Sequence, residues 1–363
     1  MIDFRYHLVS IVAVFLALAI GIVLGTTALN GPITSRLRSL ETSLRSEADS
    51  LRTQKGELQQ QVNSDQAYAQ QTAPLVVAHL LDGQGVVLIT APGAQPQVIS
   101  GVTASVQRAG GTVTGQVALQ QQFFDTSATN ENKLITLAQQ LALPQSAGTV
   151  QGAQQSASPQ LTGQLQAASL LAAAIVTKDG PGLLASQSHA ILAGFAQDGF
   201  LQVSKPAMTP ATLAVVIIPA TPPSAGDPDP ANVALISMTQ ILNGACRGAV
   251  LAGSYPGSGA GSAIDELASG NTGIEVSSVD NANTATGQAI VVQALSELLS
   301  GHKPASYGIA TGSVPSPAPT PSASLSPVPS RTRQVSRHRG TGRRQGRPAT
   351  PRPSATASQG ASR

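Results

Sequence analysis

Tryptophan is absent from this 363-residue chain, aromatic residues make up 3% of it, and cysteine occurs once, at Cys246. A single cysteine excludes an internal disulfide framework, so cysteine usage does not identify the redox compartment. Because aromatic rings are scarce, any core must be built from alanine, valine, leucine and isoleucine. The length allows more than one domain.

Recognisable metal-binding and catalytic motifs are also missing. Zinc and copper ligands usually occur as closely spaced Cys, His or Met residues. Here the histidines are isolated in sequence: His7, His79, His189, His302 and His338. Met208 and Met238 are 30 residues apart, and Cys246 is interpreted as a buried thiol rather than a copper ligand. His79 is interpreted as a solvated or hydrogen-bonded imidazole.

Two loops that contain glycine invite a binding interpretation. Gly253–Gly261 follows a predicted strand and precedes a predicted helix, where backbone amides often bind anions. This loop lacks the Lys-Ser/Thr pair of a phosphate loop and the glycine spacing of a dinucleotide loop. The turn Ala91-Pro92-Gly93 has the same weakness, and no Gly-x-Ser-x-Gly elbow occurs. We therefore predict tight turns, no catalytic residue and no cofactor site, and the metal ligands stay unknown.

Charge is distributed unevenly along the chain. Nine of the 21 Lys+Arg residues follow residue 330, beyond the last acidic residue, Glu297. Residues 311–363 are rich first in Pro and Ser and then in Arg, which predicts a disordered tail. Its charge favours an anionic surface, such as lipid head groups or acidic wall polymers, and nucleic acid only if the tail is cytoplasmic. A solvated tail without a specific ligand is the alternative.

An uncharged apolar segment, Leu8 to Leu29, lies near the N-terminus, and 13 of its 22 residues are Leu, Ile, Val or Phe. As a helix it spans about 33 Å, enough for a hydrocarbon core of about 30 Å. Residues 1–30 are therefore predicted to be a transmembrane signal anchor. A buried core helix and a cleaved signal peptide are alternatives, although the apolar region of a signal peptide normally has only about 7 to 15 residues.

The orientation of this helix stays open on charge alone. Arg36, Arg38 and Arg45 follow it, whereas Arg5 and His7 precede it, and this count favours a cytoplasmic body. Those three arginines alternate with acidic residues, however, where charge also serves helix pairing. The first seven residues fit the start of a signal anchor, which favours the opposite orientation.

Residues 31–73 are predicted to form a coiled-coil stalk. Leucines recur at a spacing of seven residues: Leu37, Leu44, Leu51 and Leu58. The companion positions fit poorly: Glu41, Ala48, Lys55 and Val62. A homo-oligomer formed through 35–72 is therefore one interpretation, and a single amphipathic helix is the other.

Residues 74–310 are predicted to form an α/β domain with a mostly parallel sheet covered on both faces. Short apolar runs predict the strands: Val86–Thr90, Thr112–Leu119, Leu213–Ile218, Ala249–Ala252 and Ile274–Ser278. Helix-like stretches lie between them: Gln97–Arg108, Ser186–Gln197, Asn232–Asn243, Ser262–Ala268 and Thr286–Leu299. The segment 144–170 is interpreted as a flexible connection or a poorly patterned helix.

Both ends of residues 1–310 resemble one family. The opening Met1-Ile2-Asp3-Phe4-Arg5-Tyr6-His7-Leu8-Val9-Ser10 and the apolar run Ala17–Gly25 resemble the MctB family, the mycobacterial-type copper transport protein B. Three closing motifs are also similar: Ser278-Val279-Asp280-Asn281, Thr286-Gly287-Gln288 and Tyr307-Gly308.

The resemblance implies a non-enzymatic role in copper efflux or homeostasis, with copper as a transported ion and the body outside the plasma membrane in the cell envelope. It implies no ligand residues. One uncharged helix cannot line a polar ion path, so any channel requires an oligomer. The alternative is an envelope scaffold or regulator whose coiled-coil stalk recruits wall-remodelling or division proteins.

Overall fold

A computed structural model of the chain describes residues 4–142, 161–204, 209–222, 229–270, 273–310 and 312–317, with side chains at all of these except 4–5 and 26–35. Met208, His338, the basic part of the tail and most of the segment 144–170 lie outside the described residues.

The longest element is the helix α1, Phe4–Val77, whose 74 residues extend over roughly 110 Å. It runs without interruption through the predicted anchor and stalk. In the described part of the chain, α1 contains the one stretch that is long and apolar enough to cross a membrane, Tyr6–Gly25, with a mean hydropathy of 2.9 and no buried residue. The helix is therefore apolar at one end and polar along the rest, and the coiled coil stays a prediction.

The body contains a seven-stranded sheet with the order β3-β2-β1-β4-β5-β6-β7. Its strands are β1 Gly85–Thr90, β2 Thr112–Leu119, β3 Leu201–Val203, β4 Leu213–Ile217, β5 Gly248–Ala252, β6 Ser277–Val279 and β7 Ser306–Tyr307. Every neighbouring pair is parallel except β2 and β3, which are antiparallel. The prediction of a mostly parallel sheet is confirmed.

Eight α-helices lie among the described residues, besides a short 3-10 helix at Gln121–Phe124. They are α1, α2 Pro96–Arg108, α3 Ala128–Leu141, α4 Thr162–Ile175, α5 Ala185–Gln197, α6 Pro230–Ala245, α7 Ala263–Ala268 and α8 Ala285–Leu299. Five of the predicted helices agree with α2, α5, α6, α7 and α8 to within about two residues at each end.

The sequence interpretation predicted no helix at α3, Ala128–Leu141, and it also differs from the structure at the strands β3, β6 and β7. The strand predicted at Ile274–Ser278 is β6, Ser277–Val279, which begins three residues later than predicted. The apolar run before it misled the prediction, because the polar Ser277 and Ser278 form the strand. The strands β3 and β7 were not predicted, since they have only three and two residues. Of the two interpretations of the segment 144–170, the poorly patterned helix is confirmed from Thr162 onward, where α4 is buried on nearly all sides and therefore lacks an amphipathic period.

Helices cover both faces of the sheet. On one face, α2, α8 and the end of α1 pack against alternate strand residues such as Val86 and Leu88. On the other face, α3 to α7 pack against Val87 and Ile89. Aliphatic residues and alanine dominate both cores, as the scarcity of aromatic residues requires. This arrangement brings the carboxyl ends of the parallel strands to one edge of the sheet, where the polar loops gather.

Candidate functional site

The potential copper ligands are dispersed in the structure. Within the described ranges there is no group of three or more His, Cys, Asp or Glu side chains placed to hold a metal ion. His79 is exposed, has a left-handed backbone with φ of 64°, and lies 2.9 Å from Asp82 through Nδ1 and Oδ2. His189 and His302 are exposed on other parts of the body.

Cys246 follows α6 and is completely buried. Its Sγ donates to the carbonyl O of Gly248 at 3.2 Å. Burial raises the pKa of the thiol from 9.0 to about 11, so the neutral form dominates at physiological pH. Metals bind the thiolate, and Cys246 is therefore poorly suited to take up a metal ion from solution.

The loop Gly253–Gly261 is closed by its own contacts. The amides of Ser258 and Gly259 donate to carbonyl groups inside the loop, and that of Gly261 donates to Asp265 Oδ2 at 3.1 Å. A Cβ added at Gly257 would overlap with the carbonyl of Ala220. The backbone at Gly257 therefore lies in direct contact with the segment that follows β4. These amides are used within the protein, and the geometry is that of a tight turn.

The closing motifs of the resemblance come together around Asp280, which is completely buried. Its carboxylate accepts hydrogen bonds from the amides of Ile309 and Ala310 at 2.8 to 3.1 Å, and from Ser313 Oγ at 3.2 Å. A side chain at Gly308 would overlap with this carboxylate. Asp280 therefore anchors the segment after β7, and its buried carboxylate leaves room only for glycine at position 308.

The second closing motif connects the body to the long helix. Thr284 caps α8 by accepting from the amide of Gly287 at 2.9 Å, and the amide of Ala285 donates to Gln66 Oε1 of α1 at 3.2 Å. The buried Val77 continues this contact into the core. The start of α8 is thus the place where the stalk is attached.

A cleft of about 600 Å³ opens at the carboxyl ends of β1 and β4. The chain leaves β1 toward β2 in one direction and β4 toward β5 in the other, so this is the topological switch point of the sheet, where ligands of open α/β folds bind. Its polar and aromatic walls are formed by Gln121, Phe124, Thr126, Thr221, Asp229 and Asn232. No Lys, Arg or His is among the described lining residues. The Ala91-Pro92-Gly93 turn contributes Pro92 and Gly93 to the same cleft.

Two buried carboxylates lie at one wall of the cleft, Asp229 in its lining and Glu266 directly behind it. Asp229, 4% exposed, caps α6 through its Oδ1, which accepts from the amide of Ala231 at 2.8 Å. Glu266, 7% exposed, accepts at Oε1 from the amide of Asp229 and from Asn232 Nδ2, both at 2.9 Å. The second oxygens, Asp229 Oδ2 and Glu266 Oε2, are shielded from solvent and have no hydrogen-bond partner among the described residues.

Sequence reasoning missed Asp229, Asn232 and Glu266. The pair Asp229-Pro230 is a readable helix start, since Asp is a preferred N-cap and proline is favoured in the first turn. Nothing in the local sequence, however, indicates that Glu266, which is 37 residues away, contacts this N-cap. The cleft therefore became visible only through the fold.

Comparison with known proteins gives consistent matches. The family model described as "Copper transport outer membrane protein, MctB" matches residues 1–317. The protein named "Copper transporter MctB" of Mycobacterium tuberculosis is 29% identical over 315 residues, which cover 86% of this chain and 98% of that protein. The protein of the same name in Mycobacterium leprae is 30% identical over 318 residues, which again cover 86% of this chain and 98% of that protein.

Proposed function

This chain belongs to the MctB family of copper transport outer membrane proteins, and we propose that it acts in copper homeostasis as a membrane-anchored, non-enzymatic protein of the cell envelope. The observation that carries the proposal is the family match over residues 1–317, which includes the apolar helix, the stalk and the whole sheet. The described architecture supports it, because a membrane tether and a long helix are joined to a folded body.

The body is proposed to lie outside the plasma membrane, as the description of the family implies. A topology reporter fused after Ser313 tests this orientation. We expect activity from a reporter enzyme that works only outside the membrane, and none from one that works only in the cytoplasm. The reverse pattern would contradict an extracytoplasmic body.

The route of copper is proposed to depend on assembly. A single helix with no Asp, Glu, Lys or Arg from Tyr6 to Gly25 offers no polar lining for an ion. Copper movement then requires several copies associated through 35–72, or another protein that the body contacts. The Arg-rich tail is proposed to bind an anionic surface of the envelope rather than nucleic acid.

Deletion of the gene tests the role in copper homeostasis. We expect higher intracellular copper and lower copper tolerance, restored by the wild-type gene, with zinc tolerance as the control. Complementation with a variant whose apolar helix carries Leu16→Arg and Ile20→Arg is expected to fail, since the body then loses its membrane location. Unchanged copper content and tolerance in the deletion strain would contradict the proposal.

A second candidate function is an envelope scaffold that recruits wall-remodelling or division proteins. The observation that favours it is the row of exposed leucines on α1: Leu37, Leu40, Leu44, Leu51 and Leu58. Helices often bind partners through such a row. If this is the function, replacing Leu44 and Leu51 with Asp abolishes the recruitment of those proteins to the membrane, while copper tolerance changes only indirectly. Recruitment that survives the substitutions would exclude this mechanism.

A further inference from the structure

The cleft at the switch point has the position and size of a ligand site. Its volume of about 600 Å³ lies within the range of about 300 to 1,000 Å³ that is usual for small-molecule sites. Its described walls are the loops after β1, β2 and β4 and the start of α6. No copper ligand described above lies in this cleft, and its chemistry is a separate question.

The charge of the cleft selects against anions. Asp229 forms part of its wall, and Glu266 lies directly behind Asp229 and Asn232. No described Lys, Arg or His side chain forms an ion pair with either carboxylate, because the three ion pairs of the described residues all lie in α1 or just after it. Phosphates, nucleotides and carboxylic acids would be repelled by this uncompensated negative charge.

The two oxygens without a partner favour a positive charge near this wall of the cleft. A buried carboxylate oxygen without a hydrogen-bond partner costs free energy, and a nearby cation recovers part of it. Direct contact is not required, since a cation inside the cleft interacts with Asp229 and Glu266 through a medium of low polarity.

The remaining wall suits an organic cation better than a metal ion. Gln121, Thr126 and Thr221 provide side-chain acceptors that make no hydrogen bond to other described residues. The half-buried ring of Phe124 offers a face for a cation–π contact. Calcium, by contrast, requires six to eight oxygen ligands, and the described residues hold no group of three carboxylates here.

From these observations we infer that the cleft binds a small organic cation, a compound that carries a primary amine or a guanidinium group. The ammonium or guanidinium lies beside Asp229 and is attracted by its charge, and the aliphatic part lies against Phe124 and the prolines of the cleft. Glu266 strengthens the site as a second negative charge without forming part of the lining.

Isothermal titration of the full-length protein in detergent tests this assignment, with agmatine and putrescine as probes. We expect saturable binding of at least one amine, and none of glucose, inorganic phosphate or calcium chloride. No binding of either amine at about 10 mM, above the range of ordinary weak affinities, would overturn the inference. Binding of phosphate or of glucose instead, or a calcium response that the amines do not share, would overturn it as well.

A matched pair of variants locates the site. Asp229→Asn removes the charge but keeps the cap of α6, because asparagine caps helices as well as aspartate does. We expect it to weaken amine binding about ten- to a hundredfold, because it removes one of the two charges that attract the amine across a medium of low polarity.

The control, Asp265→Asn, removes a carboxylate from the first turn of α7, outside the cleft, and should leave the affinity unchanged. Glu266→Gln keeps an acceptor for the amide of Asp229 and is expected to weaken binding by a smaller factor. Equal losses in Asp229→Asn and Asp265→Asn would show that the effect is general, and would overturn the assignment.

Discussion

Cys246 is completely buried at the end of α6, with its Sγ 3.2 Å from the carbonyl O of Gly248. Burial is the main reason that its pKa rises to about 11. Thiol reagents attack the thiolate, so a neutral and inaccessible thiol reacts slowly. In the folded body, Cys246 therefore behaves as a small apolar side chain.

This shift predicts a loss of stability in alkali. Between the unfolded pKa of 9.0 and the folded pKa of about 11, the unfolded chain releases the thiol proton and the folded chain keeps it. The free energy of unfolding therefore falls as the pH rises through this range, by up to about 2 to 3 kcal/mol. Urea unfolding at a series of pH values is expected to show a steeper decline for the wild type than for Cys246→Ala.

The change of unfolding free energy with pH decides this test, not its absolute value. Cys246→Ala also loses packing and is therefore less stable than the wild type at every pH. Tyr307 also has a raised pKa, from burial and from Glu297, and titrates in strong alkali in both proteins. Its contribution is therefore common to the two curves. Parallel curves for wild type and Cys246→Ala would contradict the raised pKa of the thiol.

At the scale of elements, the start of α8 is fixed by a close approach of two backbones. A Cβ at Gly287 would overlap with the carbonyl of Asn281, whereas a Cβ at Gly244, in the last turn of α6, meets no atom within 4 Å. Both residues are helical glycines, so they form a matched pair. The start of α8 also carries the contact with Gln66 of α1.

The pair predicts opposite effects of the same substitution. Gly287→Ala is expected to destabilise the body by about 1 to 3 kcal/mol or more through overpacking. Gly244→Ala should be neutral or stabilising by up to about 1 kcal/mol, because alanine restricts the unfolded chain and favours the helix. Urea midpoints of the full-length protein measure both changes. A Gly287→Ala variant as stable as Gly244→Ala would show that the close approach has no energetic weight.

The stalk is the other element whose behaviour is testable. Leu44 and Leu51 are 65% and 58% exposed, at a spacing that aligns on one side of a supercoiled helix. If the stalk self-associates, chemical crosslinking in membranes yields oligomers of the wild type. Leu44→Asp together with Leu51→Asp is expected to remove these oligomers, since the leucine row is the apolar side of the proposed seam and a charge there opposes its burial.

The control for the stalk places the same charges one position earlier, as Ser43→Asp and Ser50→Asp. These positions lie away from the leucine row, so crosslinking should persist. Loss of oligomers in both double variants would indicate a general charge effect. Persistence in both would argue for a single amphipathic helix.

At the scale of the whole molecule, the apolar part of α1 determines where the body is held. Leu16→Arg together with Ile20→Arg is expected to oppose insertion by about 5 to 7 kcal/mol, from the usual cost of arginine at the centre of a helix. The double variant should then be extracted from membranes by carbonate, whereas wild type and the control Leu16→Val with Ile20→Val should stay in the pellet. Equal retention of all three proteins would contradict a transmembrane anchor.

The sequence by itself determined the features that depend on local pattern. The apolar helix follows from a charge-free run longer than 20 residues, and the strands β1, β2, β4 and β5 follow from short apolar runs. Five body helices are recognisable because their sequence patterns and the breaks that bound them are local, within a few turns of each helix. The two ends of the chain were also sufficient to indicate the family, since their motifs are contiguous in sequence.

Only the tertiary structure decided how distant residues meet. Asp280 contacts amides 29 and 30 residues away, and Glu266 contacts the N-cap of α6 across 37 residues. The sequence could not distinguish the helix α4 from a flexible connection, because a helix buried on nearly all sides carries no amphipathic period. The cleft itself exists because β1 and β4 are neighbours in the sheet although more than 120 residues separate them. Such contacts depend on the closure of long loops, for which no local sequence pattern provides a signal.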